Sequence, residues 1–308
     1  MAAISFPLLQ LPNFALNKTL KLMCVVPHLY LSIISKKAKR CITAVNEKPL
    51  YVHINKASSI SLRLTTKSFQ NFEFIITPGQ SDLEIRKYIT TRPLFNSYLS
   101  TNQCVLGVTA KQWIELIAQV FIQDKGVLLK LQNSNKFNIK EIQYYTRELN
   151  IVRLKIESSE LQDTQLSKMF PKVEELTVTR DKIPSSILSR NFKKLRFDDI
   201  KVSLDNILIS NCSSFLIFLQ TLPDKDLNRF MKLWIKESNP NLKTFEVCFP
   251  DYEQTGLDGT ILFKGIRCID SIKHGEVTRK KFKRHDGTTA LVSVFASTSF
   301  HFCMTVVG

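Results

Sequence analysis

A chain of 308 residues with 44% hydrophobic and 23% charged content has ample apolar mass for a core, which excludes a mainly disordered protein. Its 43 Lys and Arg outweigh 27 Asp and Glu, giving a formal charge of +16 that suits nucleic acid or an acidic partner, but the cations are spread along the chain and single out neither. Seven scattered cysteines with no Cys-x-x-Cys pair exclude a metal finger and read as reduced core thiols in an intracellular compartment.

The N-terminus lacks the basic start of a secretory leader. Its apolar stretch, interrupted by Lys21, Pro27 and His28, falls short of the roughly 20 residues of a membrane helix, so neither a leader nor a span is expected. Leu16, Leu20 and Met23 recur at i, i+4 and i+7, one face of a helix, with Asn13 as its expected N-cap. Pro27 reads as the break before a second helix striped by Ile34, Ala38, Cys41 and Val45. Lys36, Lys37, Lys39 and Arg40 cluster near its later turns, where the helix dipole favours cations. The expectation is a helical pair behind an extended Leu-Pro segment. A segment this short needs another surface to cover its apolar residues.

Residues 50–54, 60–64 and 72–76 alternate apolar and polar and read as an antiparallel meander, with turns at Asn55 to Ser58 and at Pro78-Gly79. A linker is expected near 46–49. Trp113, Ile117, Val120 and Phe121 mark an amphipathic helix. An apolar-x-x-apolar-x-apolar pattern then recurs: Ile151/Leu154/Ile156, Val173/Leu176/Val178, Phe192/Leu195/Phe197 and Leu242/Phe245/Val247. Weaker copies hold Leu129/Leu131 and Leu216/Phe218. Successive middle positions lie 25, 22, 19, 21 and 29 residues apart. That period is leucine-rich-repeat-like, in which no repeat covers its own apolar face and neighbours must stack.

From Asp224, the expected N-cap, to about Glu237, residues Leu227, Phe230, Met231, Trp234 and Ile235 form a wide apolar stripe, stopped by Asn239-Pro240. The basic run 279–284 offers a nuclear localisation signal or a phosphate-binding patch, and a solvated loop before a strand is preferred. Asp286-Gly287 reads as a hairpin turn. No histidine stands in a hydrolase or zinc frame, and there is no Gly-rich phosphate loop. Glu174-Glu175 and Asp198-Asp199 are adjacent, so on strands they point to opposite faces. No catalysis is expected.

Two stretches resemble known family patterns. Pro7-Leu8, Leu11-Pro12, Leu16 and Leu20 at helical spacing, and Ser35-Lys36-Lys37 resemble an F-box, although Cys24-Val25-Val26-Pro27 stands where that family often has an acidic loop residue. Trp234-Ile235-Lys236-x-Ser238-Asn239-Pro240-x-Leu242, led by Phe230, and the later Arg284-His285-Asp286-Gly287-Thr288 resemble the type 2 F-box-associated domain of nematode F-box B proteins. The two resemblances occur in family order. They imply a non-catalytic, substrate-recruiting adaptor of an SCF-type (Skp-cullin-F-box) ubiquitin ligase, cytoplasmic and/or nuclear, without cofactor or membrane. Leu8, Leu11, Pro12, Leu16, Leu20 and Ile34, in an F-box of residues 1–46, would dock on a Skp-type adaptor and through it a cullin. Residues 50–308, with the type 2 signature at about 224–295, would bind a target protein. The implied fold is α/β: a small helical F-box, a short strand meander and an open leucine-rich-repeat-like solenoid of strands and helices. Two other readings stay open. One is a repeat-type binding protein in which residues 1–45 pack on residues 50–130 as one core. The other, less favoured, is a basic nucleic-acid-binding protein using 279–284.

Overall fold

The computed structural model describes residues 8–23, 25–45, 51–56, 60–65, 71–76, 82–90, 96–104, 108–122, 126–131, 139–157, 168–179, 185–218, 222–249, 258–274, 277–296 and 300–307. The chain divides into two compact units, Met1–Ile151 and Val152–Gly308, both mixed α/β. The expected linker at 46–49 and the turn at Pro78-Gly79 lie outside the described residues.

The first unit opens with a 3-10 turn, Leu8–Gln10, and three helices, not two: α1 (Asn13–Leu22), α2 (Val25–Ile34) and α3 (Lys36–Val45). Pro12, not Asn13, is the N-cap of α1 and makes no side-chain cap bond. Val25 and Val26 belong to α2 instead of a loop, and Pro27 lies in its first turn, where a missing N–H costs little. The break falls at Ser35, whose Oγ accepts the Ala38 N–H at 3.3 Å and caps α3. The expected single stripe is therefore split. Ala38 and Ile42 of α3 are buried, whereas Ile34 ends α2 in solvent.

Strands β1 (Tyr51–Lys56), β2 (Ile60–Thr65), β3 (Asn71–Ile76), β4 (Asp82–Thr90) and β5 (Asn96–Cys104) form an antiparallel meander, and β6 (Val127–Leu131) adds parallel to β1. The alternation of the first three strands was legible; β5 is too polar to have been found that way, and β4 loses its alternation at Lys87 and Tyr88. Thr109 opens α4 (Ala110–Ile117) with a reciprocal capping box to Gln112, and a π-helical turn, Ala118–Ile122, continues it. Trp113, Ile117, Val120 and Phe121 are all buried, as their spacing predicts, and Phe121 stacks on Phe74 of β3 at 6.0 Å. Helix α2 packs on α4, and α3 on the π-helical turn. Helix α5 (Ile139–Thr146) completes the unit's described helices.

In the second unit β7 (Ile151–Ile156), β8 (Glu175–Val178), β9 (Lys194–Asp198), β10 (Ser214–Phe218) and β11 (Thr244–Phe249) lie side by side, parallel and in chain order. The recurring sequence pattern marks them: Leu154, Ile156, Leu176, Val178, Leu195, Phe197, Phe245 and Val247 are all buried. In β10 the pattern lies one residue earlier than expected, on Cys212, Phe215 and Ile217; Phe218 is half-buried on the other face. Each copy also hands the N–H just before its strand to the preceding copy: Glu174 to the Val152 carbonyl at 2.8 Å, Lys193 to Glu174 at 2.8 Å, Ser213 to Phe192 at 3.2 Å and Lys243 to Ser213 at 2.7 Å. Stacked turns thereby satisfy backbone groups that the strands do not.

Short helices α6 (Ser185–Leu188) and α7 (Leu204–Ile209) and the longer α8 (Asp224–Ile235) connect these strands. The chain returns through α9 (Gly259–Leu262), β12 (Asp270–His274), β13 (Val277–Lys283), β14 (Thr289–Ala296) and β15 (Phe300–Val307). Strand β15 is antiparallel to both β11 and β14, so the sheet of this unit runs β12-β13-β14-β15-β11-β10-β9-β8-β7. Rings knit its core: Phe197–Phe215 at 5.4 Å, Phe215–Phe245 at 5.9 Å, Phe245–Phe302 at 5.7 Å and Phe230 of α8 against Phe245 at 4.7 Å. Each fully buried Phe contributes about 1.5–3 kcal/mol by apolar burial.

Candidate functional site

The six residues expected to dock on an adaptor do not share one environment. Leu8 and Leu11 are half-buried and Pro12 is exposed, while Leu16 and Leu20 are fully buried in the unit's own core. Ile34 is 77% exposed. The carbonyl of Leu9 accepts from Lys37 Nζ at 2.8 Å, pinning the opening turn to α3. His28 Nε2 donates to the Leu20 carbonyl at 2.8 Å and ties α2 to the end of α1. With Leu16 and Leu20 turned inward, the opposite side of α1 presents Phe14 and Leu22, each 82% exposed. Ile33 of α2 is 39% exposed. Phe14 and Leu22 were missed as surface candidates; plotted at 100° per residue, they fall well away from Leu16 and Leu20.

The second candidate surface is the sheet face of the second unit that points away from the buried strand positions. Arg153, Glu175, Lys194, Ser214, Thr244, Thr305, Leu291, Lys281 and Asp270 align across it by register. Near its middle, Lys155 Nζ lies 3.2 Å from Glu157 and 3.6 Å from Asp198, and Arg196 Nε donates to Asp198 at 2.5 Å. The Arg196 guanidinium also covers the Phe218 ring at 5.1 Å. His301 stacks on Phe295 and stands 3.8 Å from Glu246.

These groups are partnered for structure. Asp198 serves two cations, and Glu174 pairs with Lys193 at 2.7 Å. Burial pushes the Cys212 thiol up to about 11 and raises Cys248 and Cys303 as well, which leaves little reactive thiolate. Among the described residues no His, Cys, Asp and Glu cluster could hold a metal ion, and no helix is long and apolar enough to cross a membrane.

The run from Phe230 to Leu242 has a clear structural logic. Trp234 is fully buried, edge-on to Phe282 of β13 at 5.9 Å and capped by the Arg284 guanidinium at 5.1 Å. Helix α8 starts after Pro223, so Asp224 is its first residue and not its N-cap; its Oδ2 accepts the Asp258 N–H at 2.7 Å instead. Asn228 Nδ2 donates to the Leu262 and Lys264 carbonyls at 2.8 and 3.0 Å. Asn239 holds a left-handed φ of 49° and donates to the Ile207 and Ser210 carbonyls, both at 2.9 Å. The turn after α8 is thereby locked onto the end of α7. Short polar side chains are suited to left-handed backbone, which explains Asn at this position.

The basic run expected as a loop lies in strand β13 as far as Lys283, with Phe282 buried in the core against Trp234. The turn at Asp286-Gly287 stands where expected, with Gly287 at φ 94°. Arg284 Nε donates to Asp286 Oδ2 at 2.9 Å, and Asp286 Oδ1 accepts the Thr288 N–H at 2.8 Å.

A protein-family model described as F-box associated matches residues 183–247, which include α8 and the Asn239 turn. Over 308 residues the chain is 35% identical to a Caenorhabditis elegans protein, F-box associated domain-containing protein sdz-33, with 99% of each chain covered. No solved structure matches. With a relative alike over nearly its whole length and a family match that takes in the locked turn, the chain belongs to the F-box associated domain family.

Proposed function

We propose that this protein is a non-catalytic, substrate-recruiting adaptor of an SCF-type ubiquitin ligase, working in the cytoplasm and/or nucleus. Residues 1–46 act as an F-box that docks on a Skp-type subunit and through it a cullin. Residues 50–308 form the leucine-rich-repeat-like part that holds a target protein. The chemistry is proximity: tethering raises the effective concentration of target lysines near the ligase-bound conjugating enzyme. The observation that carries this reading is the set of large apolar side chains left in solvent on α1 and α2, Phe14, Leu22, Ile33 and Ile34, in a chain of this family. Leu8 and Leu11, half-buried, and the exposed Pro12 precede α1 in the chain, and Leu16 and Leu20 lie in the core on its other side.

The test is co-purification of a Skp-type protein with the full chain. Retention by the wild type, lost in Phe14→Asp/Leu22→Asp and in Leu11→Ala/Pro12→Ala, is the expected result. A wild-type chain that retains no Skp-type protein overturns the adaptor reading. A second reading, a repeat-type binding module without a ligase role, is favoured by the packing of α2 and α3 on α4 and its π-helical turn. That outcome would leave it standing.

A further inference from the structure

Strand β13 carries Arg279, Lys281 and Lys283 on one face, and all three are exposed. The intervening residues fix which face that is. Lys280 lies over the Phe263 ring at 4.2 Å, and Phe282 is buried against Trp234. The strand cannot roll, so the three residues stand at alternate positions on one side, their Cα atoms about 7 Å apart.

Elsewhere on the same sheet face Lys155 pairs with Glu157 and Asp198, and Arg196 pairs with Asp198, whereas Arg153 and Lys194 face Glu175 in register only. On β13 none of the three makes an ion pair with the described residues. The facing positions of β14 are Ser293, Leu291 and Thr289, all uncharged. On β12 Ile272 faces Arg279 and Asp270 faces Lys281; Asp270 accepts from its neighbour Ser271 N–H at 2.8 Å and makes no ion pair with the described residues. Ile269 and Ile272 are exposed beside the row.

We infer that Arg279, Lys281 and Lys283 form a docking ladder for an extended acidic peptide segment with Asp or Glu at alternate positions. This rests on reading the second unit as the target-binding half. An extended chain repeats its same-side residues at the spacing of the ladder, so three carboxylates can meet three cations without distortion. The exposed isoleucines give such a segment apolar contact on the β12 side. Nucleic acid fits the row less well. Ser293, Leu291 and Thr289 offer no ring on which a base could stack, and the nearby Phe295 is already stacked on His301.

The experiment is fluorescence anisotropy of the full-length protein with a labelled peptide of alternating Glu and Thr, at low and raised salt. The wild type binds, salt weakens the complex, and each single substitution (R279Q, K281Q, K283Q) weakens it about threefold, as exposed ion pairs do. The triple variant loses binding, whereas K225Q/R229Q/K236Q, which removes the same charge from the exposed side of α8, keeps it. Circular dichroism checks the fold; if the triple variant unfolds, the single variants decide. A wild type that does not bind, or a triple-glutamine variant that binds undiminished, overturns the ladder. So does a single-stranded oligonucleotide that displaces the peptide at equal concentration and is itself lost in the triple variant. Co-purification of the Skp-type protein, measured on the same samples, separates failure of the ladder from failure of the adaptor reading.

Discussion

Leu16 and Phe14 stand two positions apart on α1 and meet opposite surroundings, so equal truncations have unequal consequences. Leu16→Ala removes a fully buried side chain and is expected to cost about 2–5 kcal/mol of unfolding free energy. Phe14→Ala, at an exposed site, is expected to stay within about 0.5 kcal/mol. Urea denaturation of the two variants measures both. Asn239 separates a side-chain effect from a backbone effect. Asn239→Gly keeps the left-handed turn but strips the Ile207 and Ser210 carbonyls of their donor, for an expected loss of about 1–3 kcal/mol. Asn239→Ala adds the left-handed backbone penalty, about 1–2 kcal/mol more. Equal midpoints for the two variants would remove backbone strain from the account. At this scale Trp234 was legible as a core residue from its helical spacing. The partners of Asn239 were not, because they lie on a helix some thirty residues earlier, beyond any local pattern.

The β13–β14 hairpin and the start of α8 respond to acid with opposite signs. The Arg284 guanidinium, with help from the Thr288 N–H, holds the Asp286 carboxyl well below its ordinary 3.8. Its contribution is fully present above the unfolded value and is lost as pH falls through it toward the folded one. Burial raises Asp224 above 3.8, so its contribution is present in acid and lost as pH rises through that region. Asp286→Asn is therefore expected to flatten the acid-side decline in melting temperature between about pH 5 and pH 2. Asp224→Asn, which keeps an oxygen to accept the Asp258 N–H, is expected to be no less stable than wild type at neutral pH. Melting curves across that range check both. Among the elements, β1 to β3, β7 to β9, β11, α4 and α8 announced themselves by period. The split between α2 and α3 did not, because apolar residues continue at helical spacing through Ser35 and only its cap bond to Ala38 marks the end. In β10 three successive buried residues, Phe215, Leu216 and Ile217, hide the face that the alternation should reveal.

For the chain as a whole, the parallel run β7 to β11 could be read because its neighbours in space are neighbours in sequence. The position of β15 could not: pairing of a late strand with β11 is a long-range register choice with no local signature. In the first unit, removing residues 1–45 is expected to uncover the α4 side on which α2 packs. Increased binding of a hydrophobic dye and faster amide exchange over residues 110–122 would report it; unchanged exchange would mean that α4 holds its place without that cover. Strand β15 bears on how the protein is made. Synthesis proceeds from the N-terminus, so each parallel strand finds its predecessor already emerged from the ribosome. Strands β12 to β14 have no ladder to that run until β15 arrives. A premature stop codon that deletes only this eight-residue strand would leave a three-stranded flap and the open edge of β11, two unpaired borders that quality control reads as misfolding.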